Sequence, residues 1–281
     1  MSAPRPADAA TAAAFDASWE NCYTAAPYTR EQYLEWIAPL TPADLAGRSV
    51  CELGCGHGGL LRYTAEYAAG APVTGVDLGA SVEAARAHLQ AAGLRNASLV
   101  REDLIAFSHA NAGRFDVAYS IGVLHHMQDP EAGFRAALRL VRPGGRVHCW
   151  VYGHEGNGPV RWLVEPVRRL ACRLPWRVNK YGVALPLAVP FFLVGKTMHA
   201  LRHWPATDRL PMAGYFRWVG AREFAFHHHV AFDQLVTPQT QFIRQREIEA
   251  WLAAAADEIE STYLVPRNGN SWKFGGRRRG A

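Results

Sequence analysis

The first chemical signal is one unbroken run, Val50-Cys51-Glu52-Leu53-Gly54-Cys55-Gly56-His57-Gly58-Gly59. Glycines at a strand-to-helix turn let the backbone bend tightly and let a ligand approach with no Cβ in its way. Gly54, Gly56 and Gly59 satisfy a GxGxxG pattern, which alone is a weak signal. Asp77 follows 23 residues after Gly54, where a carboxylate can accept both hydroxyl hydrogens of a ribose. These two features suit a nicotinamide dinucleotide and an adenosyl cofactor equally. Three later segments separate the two. Arg101-Glu102-Asp103-Leu104 sets an acidic residue just past a strand. Phe115-Asp116-Val117-Ala118-Tyr119-Ser120-Ile121-Gly122-Val123-Leu124-His125-His126 runs off the end of the next strand. Leu140-Val141-Arg142-Pro143-Gly144-Gly145-Arg146 joins a helix to another strand.

The elements that must position these residues alternate between short apolar runs and helical periods. Strands are predicted at Ser49 to Leu53, Val73 to Asp77, Ser98 to Arg101, Phe115 to Ser120 and Arg146 to Tyr152. Helices are predicted at Tyr28 to Leu40, from Gly59 to about Ala68, at Ser81 to Ala92 and at Pro130 to Val141. That alternation implies a parallel sheet covered on both faces. After Gly153 the rhythm is lost for some eighty residues, then returns with a helix at Arg244 to Ala256. Strands at Ile259 to Val265 and Ser271 to Phe274, joined through Asn268-Gly269-Asn270, make an antiparallel hairpin at a sheet edge.

Over Ser49 to Tyr152, and more loosely to Phe274, the chain resembles the class I S-adenosylmethionine-dependent methyltransferases. The likeness rests on ExGxGxG, an acidic end to the second strand, an acid after the third, the FD…VLHH stretch and the Pro-Gly-Gly turn, all in order. It implies a Rossmann-like α/β fold: a seven-stranded, mostly parallel sheet with helices on both faces, a C-terminal hairpin edge, and a mainly helical insertion after strand five. The implied divisions are a leader (1–27), a cofactor-binding core (28–152), a substrate-covering lid (153–240) and a completion of the core sheet (241–281). The implied cofactor is S-adenosylmethionine. Glu52, Gly54 and Gly56, with Cys55 between them, would line its methionine and ribose end. Asp77 would hold the ribose hydroxyls, with Leu78 on the adenine. Asp103 would accept from the adenine amino group beside Leu104, and Ser120 and Ile121 would run along the inner side.

A sulfonium methyl is already activated, so alignment and exclusion of water can do most of the work. A base is needed only when the acceptor atom carries a proton that must leave. His125 and His126 follow strand four and are the candidates for that base. Tyr152 closes strand five, ahead of a glycine-rich exit, and is a candidate substrate contact. In His227-His228-His229, an extended backbone would put His227, His229 and Asp233 on one face, for substrate contact or, less aptly, for a metal; no metal is expected. Trp162, Trp176, Trp204, Trp218, Tyr181, Tyr215 and Phe216 supply an apolar roof or the insertion's own core.

Between Arg161 and Arg209 stand nine basic side chains against Glu165 and Asp208, a local charge of +7 in a chain of net +5. Such a field attracts acidic substrates, anionic lipid heads or nucleic acid, unless it is only a solvated helix face. No nucleic-acid partner is expected, because no RNP, KH or zinc-knuckle signature is present. A weak membrane-surface contact is compatible with the basic insertion, and Val183 to Val194 is too short to span a bilayer. The first 14 residues, rich in Ala and Pro, read as a loose leader without the pattern of a secretory signal. Five scattered cysteines suit reduced thiols and a cytoplasmic location. The expected activity is methylation of a small, acidic or lipophilic molecule. Competing readings are an RNA or protein methyltransferase docking through the insertion, an NAD(P)-dependent oxidoreductase, and a non-catalytic cofactor-binding module.

Overall fold

In the computed structural model, residues 5–22 and 28–280 are described, with side chains of 20–22 left aside. Seven strands form one sheet in the order β3-β2-β1-β4-β5-β7-β6. They are β1 (Val50–Leu53), β2 (Val73–Asp77), β3 (Ala97–Arg101), β4 (Phe115–Ile121), β5 (Val141–Tyr152), β6 (Ile259–Arg267) and β7 (Ser271–Arg278). The first five are parallel, and β7 runs antiparallel between β5 and β6. Every residue of central β1 and β4 is buried, the condition that makes their sequences read as unbroken apolar runs. The chain order reverses direction between β1 and β4, and there the carboxyl ends of the strands open a crevice.

Twelve α-helices are described: α1 (Pro6–Cys22), α2 (Arg30–Ile37), α3 (Pro42–Leu45), α4 (Leu61–Tyr67), α5 (Ser81–Ala91), α6 (Leu104–Ala110), α7 (Pro130–Leu140), α8 (Glu165–Ala171), α9 (Leu185–Ala200), α10 (Ala213–Gly220), α11 (Phe224–Val236) and α12 (Gln245–Ala254). One face of the sheet packs Phe107, Phe134, Leu138, Trp251 and Phe274; the other packs Tyr33, Ile37, Leu61, Val82 and Leu89. Helix boundaries follow local chemistry. Thr29 begins α2 as a capping box with Gln32, and Asp129 caps α7 ahead of Pro130 at its first turn.

Three features differ from the sequence expectation. The N-terminal segment is no loose leader, since α1 packs on α5 and α11. Its Asp16 carboxylate accepts from Ala80 N at 2.7 Å and Ser81 N at 2.9 Å, at the start of α5. An Ala-rich stretch predicts helix as readily as coil, and the docking that decides between them is long-range. Secondly, β5 begins at Val141 rather than Arg146, because Val141 already pairs with Phe115 and a register shift absorbs the Pro-Gly-Gly turn. Thirdly, the apolar stretch Val183 to Val194, too short by itself to span a bilayer, lies inside a longer helical stretch, Val178–Ala200, because Pro186 and Pro190 do not end the helix. Wider π-type turns at Val160–Val164 and Val178–Ala184 lead into α8 and α9, whose Pro166 and Pro186 fall in the first turn, where a missing N–H costs little.

The insertion has a small core of its own: Ala171, Ala184, Phe232, Leu235 and Val236. Arg168 pins it, with its guanidinium forked on Glu165 and donating to Thr237 O at 2.6 Å. Cys51, Cys55, Cys149 and Cys172 are free thiols.

Candidate cofactor and acceptor site

The turn after β1 is built by backbone conformation. Gly54, Gly56 and Gly58 have φ of +76°, +51° and +80°, in the left-handed region that favours glycine. At Gly54 an added Cβ would stand 2.3 Å from Val123 Cγ2, and at Gly56 2.4 Å from Trp19 Cη2. Asp77, ending β2, braces this loop: one oxygen accepts from Gly56 N and the other from Gly79 N, both at 2.8 Å. Burial raises its pKa against those hydrogen bonds.

Glu52 is 2% exposed and accepts from Tyr119 Oη at 2.8 Å, while Tyr119 is linked through Thr64 to Tyr33. Burial, opposed by the Tyr119 bond and reinforced by Asp77, pushes its pKa up to about 8. A carboxyl held so far from water stays neutral unless a cation is near to favour its ionised form. Asp103 caps α6, one oxygen accepting from Ile105 N and Ala106 N, and it also lines the cavity. A ligand with ribose hydroxyls, an amino-bearing ring and positive charge matches this set of acceptors. S-adenosylmethionine is such a ligand.

The cavity is continuous, about 600 Å³, from this cradle to the helical insertion. Of the residues predicted for the cofactor, Glu52, Gly54, Cys55, Gly56, Asp77, Leu78, Asp103, Leu104 and Ile121 line it. Ser120 does not: it is fully buried, and its hydroxyl donates to Leu53 O, tying β4 to β1. Strand alternation turned it away from the crevice. Trp19 and His57 belong to the site and carried no sequence signal beyond their residue types. The Trp19 ring meets His57 edge-on at 5.1 Å, and burial pushes the His57 pKa down to about 4.

Four candidate histidines part company. His126 lines the cavity, donates from Nδ1 to Gln239 O at 3.0 Å, and is driven down to about 4 by burial. His125 is wholly buried and outside the cavity lining, its Nδ1 accepting from Tyr152 N. The expectation of an extended triple-histidine segment is corrected, because these residues lie on α11. Helical phase sends His227 into the insertion's packing, between Phe191 and Phe192, with Nδ1 donating to Glu223 O. His229 and Asp233, one turn apart, line the cavity together. Among the described residues, no group of three potential ligands could hold a metal. Tyr152 also lines the cavity and accepts from Gln234 Nε2 at 2.9 Å. Of the predicted roof, Tyr215, Phe216 and Trp218 line the cavity, Trp176 packs in the insertion's core, and Trp162, Tyr181 and Trp204 face outward.

The family model described as "Methyltransferase domain" matches residues 51–147. A ubiquinone biosynthesis O-methyltransferase of Erwinia tasmaniensis is 36% identical over 186 residues, 64% of this chain and 75% of that protein. One from Aromatoleum aromaticum is 39% identical over 115 residues, 41% of this chain and 47% of that one. The chain spans about half the length of the first curated relatives it matches. An O-methyltransferase family protein from Burkholderia thailandensis shares the fold, with TM-score 0.52 and 16% identity over 89% of this chain and 57% of that one. These matches overturn the oxidoreductase alternative, which the glycine loop alone left open. With the strand order, the glycine cradle and its acidic residues, they place this protein among the class I S-adenosylmethionine-dependent methyltransferases.

Proposed function

We propose that this protein transfers the methyl group of S-adenosylmethionine to a small molecule enclosed between the core and residues 153–240. The observation that carries this reading is the continuity of one cavity from the Glu52–Asp77–Asp103 cradle to aromatic side chains of the insertion. Its volume falls in the range of small-molecule sites. The O-methyltransferase relatives support oxygen as the acceptor atom. The cofactor supplies an activated methyl group; Glu52, Asp77 and Asp103 would hold it, with Leu78, Leu104 and Ile121 as apolar walls. The surrounding rings exclude water and align the acceptor.

A hydroxyl acceptor must lose its proton. His229 is the residue we assign to take it, oriented by Asp233 from the next helical turn. That both residues line the cavity on one face of α11 supports that placement. His126 is the second candidate, weakened as a base by a pKa near 4. Isotope-labelled methyl transfer to a panel of small phenols tests the whole reading. Labelled product that disappears with His229→Gln is expected. Transfer only to RNA or protein would overturn it.

The insertion also presents an outward apolar face: Trp162 is 77% exposed, Leu163 71% and Leu170 70%. Arg161, Arg169 and Arg173 lie in the same stretch. The helical stretch Val178–Ala200 is long and apolar enough to cross a membrane by length and composition, and only 22% of its apolar window is buried. Lys180 and Lys196 within it, and its packing on α10 and α11, favour lying on an anionic membrane surface over crossing it. Free thiols suit a cytoplasmic face. Co-sedimentation with phosphatidylglycerol vesicles, absent with phosphatidylcholine and lost with Trp162→Ser/Leu163→Ser, is the expected outcome.

A further inference from the structure

The cavity has four carboxylates toward the cofactor end, Asp8, Glu52, Asp77 and Asp103, and Asp233 beside His229. Arg267, at the end of β6, is the one arginine or lysine among its described lining residues. Its side chain is 6% exposed. The guanidinium carbon lies over three indole rings, at 4.9 Å from Trp218, 5.6 Å from Trp150 and 5.8 Å from Trp36. Nε donates to Glu35 Oε1 at 2.9 Å. Nη2 lies 2.9 Å from that same oxygen but makes no hydrogen bond with it, so a buried N–H donor is left unspent.

Glu35 is shared further. Its other oxygen accepts from Trp218 Nε1 at 3.1 Å, and Lys273 Nζ donates to its backbone carbonyl. Lys273 is itself 7% exposed. The Glu35 carboxylate, about a third exposed, thus gives one oxygen to Arg267 and the other to Trp218, while Lys273 reaches only its backbone carbonyl. A desolvated guanidinium prefers a planar, two-oxygen partner, and Arg267 meets only one oxygen of Glu35. Asp233 also lines the cavity, one helical turn from His229.

We infer that the acceptor carries a carboxylate on an aromatic or other flat apolar body, the carboxylate seated on Arg267 and the body among Trp36, Trp150, Tyr152, Tyr215 and Trp218. The inference rests on the small-molecule methyltransferase reading and adds to it the substrate class and the residue that selects it. Arg267 is a binding residue, and the aromatic cage fixes the orientation of its fork.

The test uses the full chain saturated with S-adenosylhomocysteine and two probes of nearly equal shape, 2-naphthoate and 2-naphthamide, followed by calorimetry and tryptophan fluorescence. The expected result is that naphthoate binds at least about tenfold tighter than naphthamide, the scale of one charge-assisted contact. Arg267→Met should erase that preference while S-adenosylhomocysteine binding persists, which also reports that the variant is folded. Glu35→Gln removes the competing carboxylate and should tighten naphthoate while leaving naphthamide unchanged. Equal binding of the two probes, or a preference that survives Arg267→Met, overturns the inference and leaves the methyltransferase reading standing. Failure of the unaltered chain to bind S-adenosylhomocysteine overturns both.

Discussion

Replacing Glu52 with glutamine isolates the electrostatics of the cradle. With its pKa pushed up to about 8 by burial and by Asp77, Glu52 in the ligand-free protein holds its proton at neutral pH. A carboxyl with that pKa is roughly nine-tenths protonated at pH 7, one unit below its midpoint. A bound cation within a few ångströms favours the ionised form and lowers the pKa. Binding of S-adenosylmethionine at pH 7 therefore releases close to one proton from Glu52. The sign follows from linkage: the free protein binds more protons than the complex, so affinity climbs with pH by up to about tenfold per unit below pH 8 and levels above it. The same raised pKa makes Glu52 cost stability in the ligand-free protein as pH rises from its unfolded value through 8. Asp77, whose pKa burial also raises, remains in the variant. In Glu52→Gln the Glu52 share vanishes, and at pH 8 affinity falls by about 1.5–3 kcal/mol, the worth of a hydrogen bond to a charged group. Calorimetry at pH 7 in buffers of different ionisation enthalpy reads the proton count directly. Identical heats in both buffers, or the same proton release with and without the carboxylate, would refute the reasoning.

Gly56→Ala should weaken S-adenosylhomocysteine binding more than tenfold, since its Cβ collides with Trp19. The control Gly47→Ala, with φ +69° and nothing within 4 Å, should cost about 1 kcal/mol of stability and leave binding intact. Asp16→Ala removes the acceptor for Ala80 N and Ser81 N; a stability loss of about 1 kcal/mol and faster proteolysis within α1 are expected from thermal denaturation and limited digestion. Arg168→Leu leaves the Thr237 carbonyl without its donor and Glu165 with only the exposed Arg169, and breaking a buried pair from one side costs about 3 kcal/mol, read as a lowered denaturant midpoint.

The cofactor half of this protein was legible because its information is local. A buried strand, a glycine turn and a capped helix each fit within a dozen residues, and the strand ends of a parallel sheet fall on one edge whatever surrounds them. That is why Val73–Asp77 was placed to the residue and why nine of the ten cofactor candidates line the cavity. Ser120 points away from the cavity by one step of strand alternation.

The insertion was far less legible. Its prolines and apolar runs obey no single period, and only packing on the core decides that they form helices. Helical phase, rather than extended alternation, selects His229 over His227. The N-terminal helix has almost no amphipathic pattern of its own, and its place over the cofactor loop comes from Asp16 meeting α5 and Trp19 meeting Gly56. The acceptor end depends most on distance: Glu35 and Arg267 are 232 residues apart in the chain, yet they share one ion pair inside a cage of three indoles. The sequence by itself determined the sheet, its glycine cradle and the acids along that edge of the cavity, because short-range sterics and hydrogen bonding dictate them. Which cation keeps an unspent donor at the acceptor cavity was decided only by the tertiary structure, because desolvation and pairing depend on neighbours that the chain brings together from its far ends.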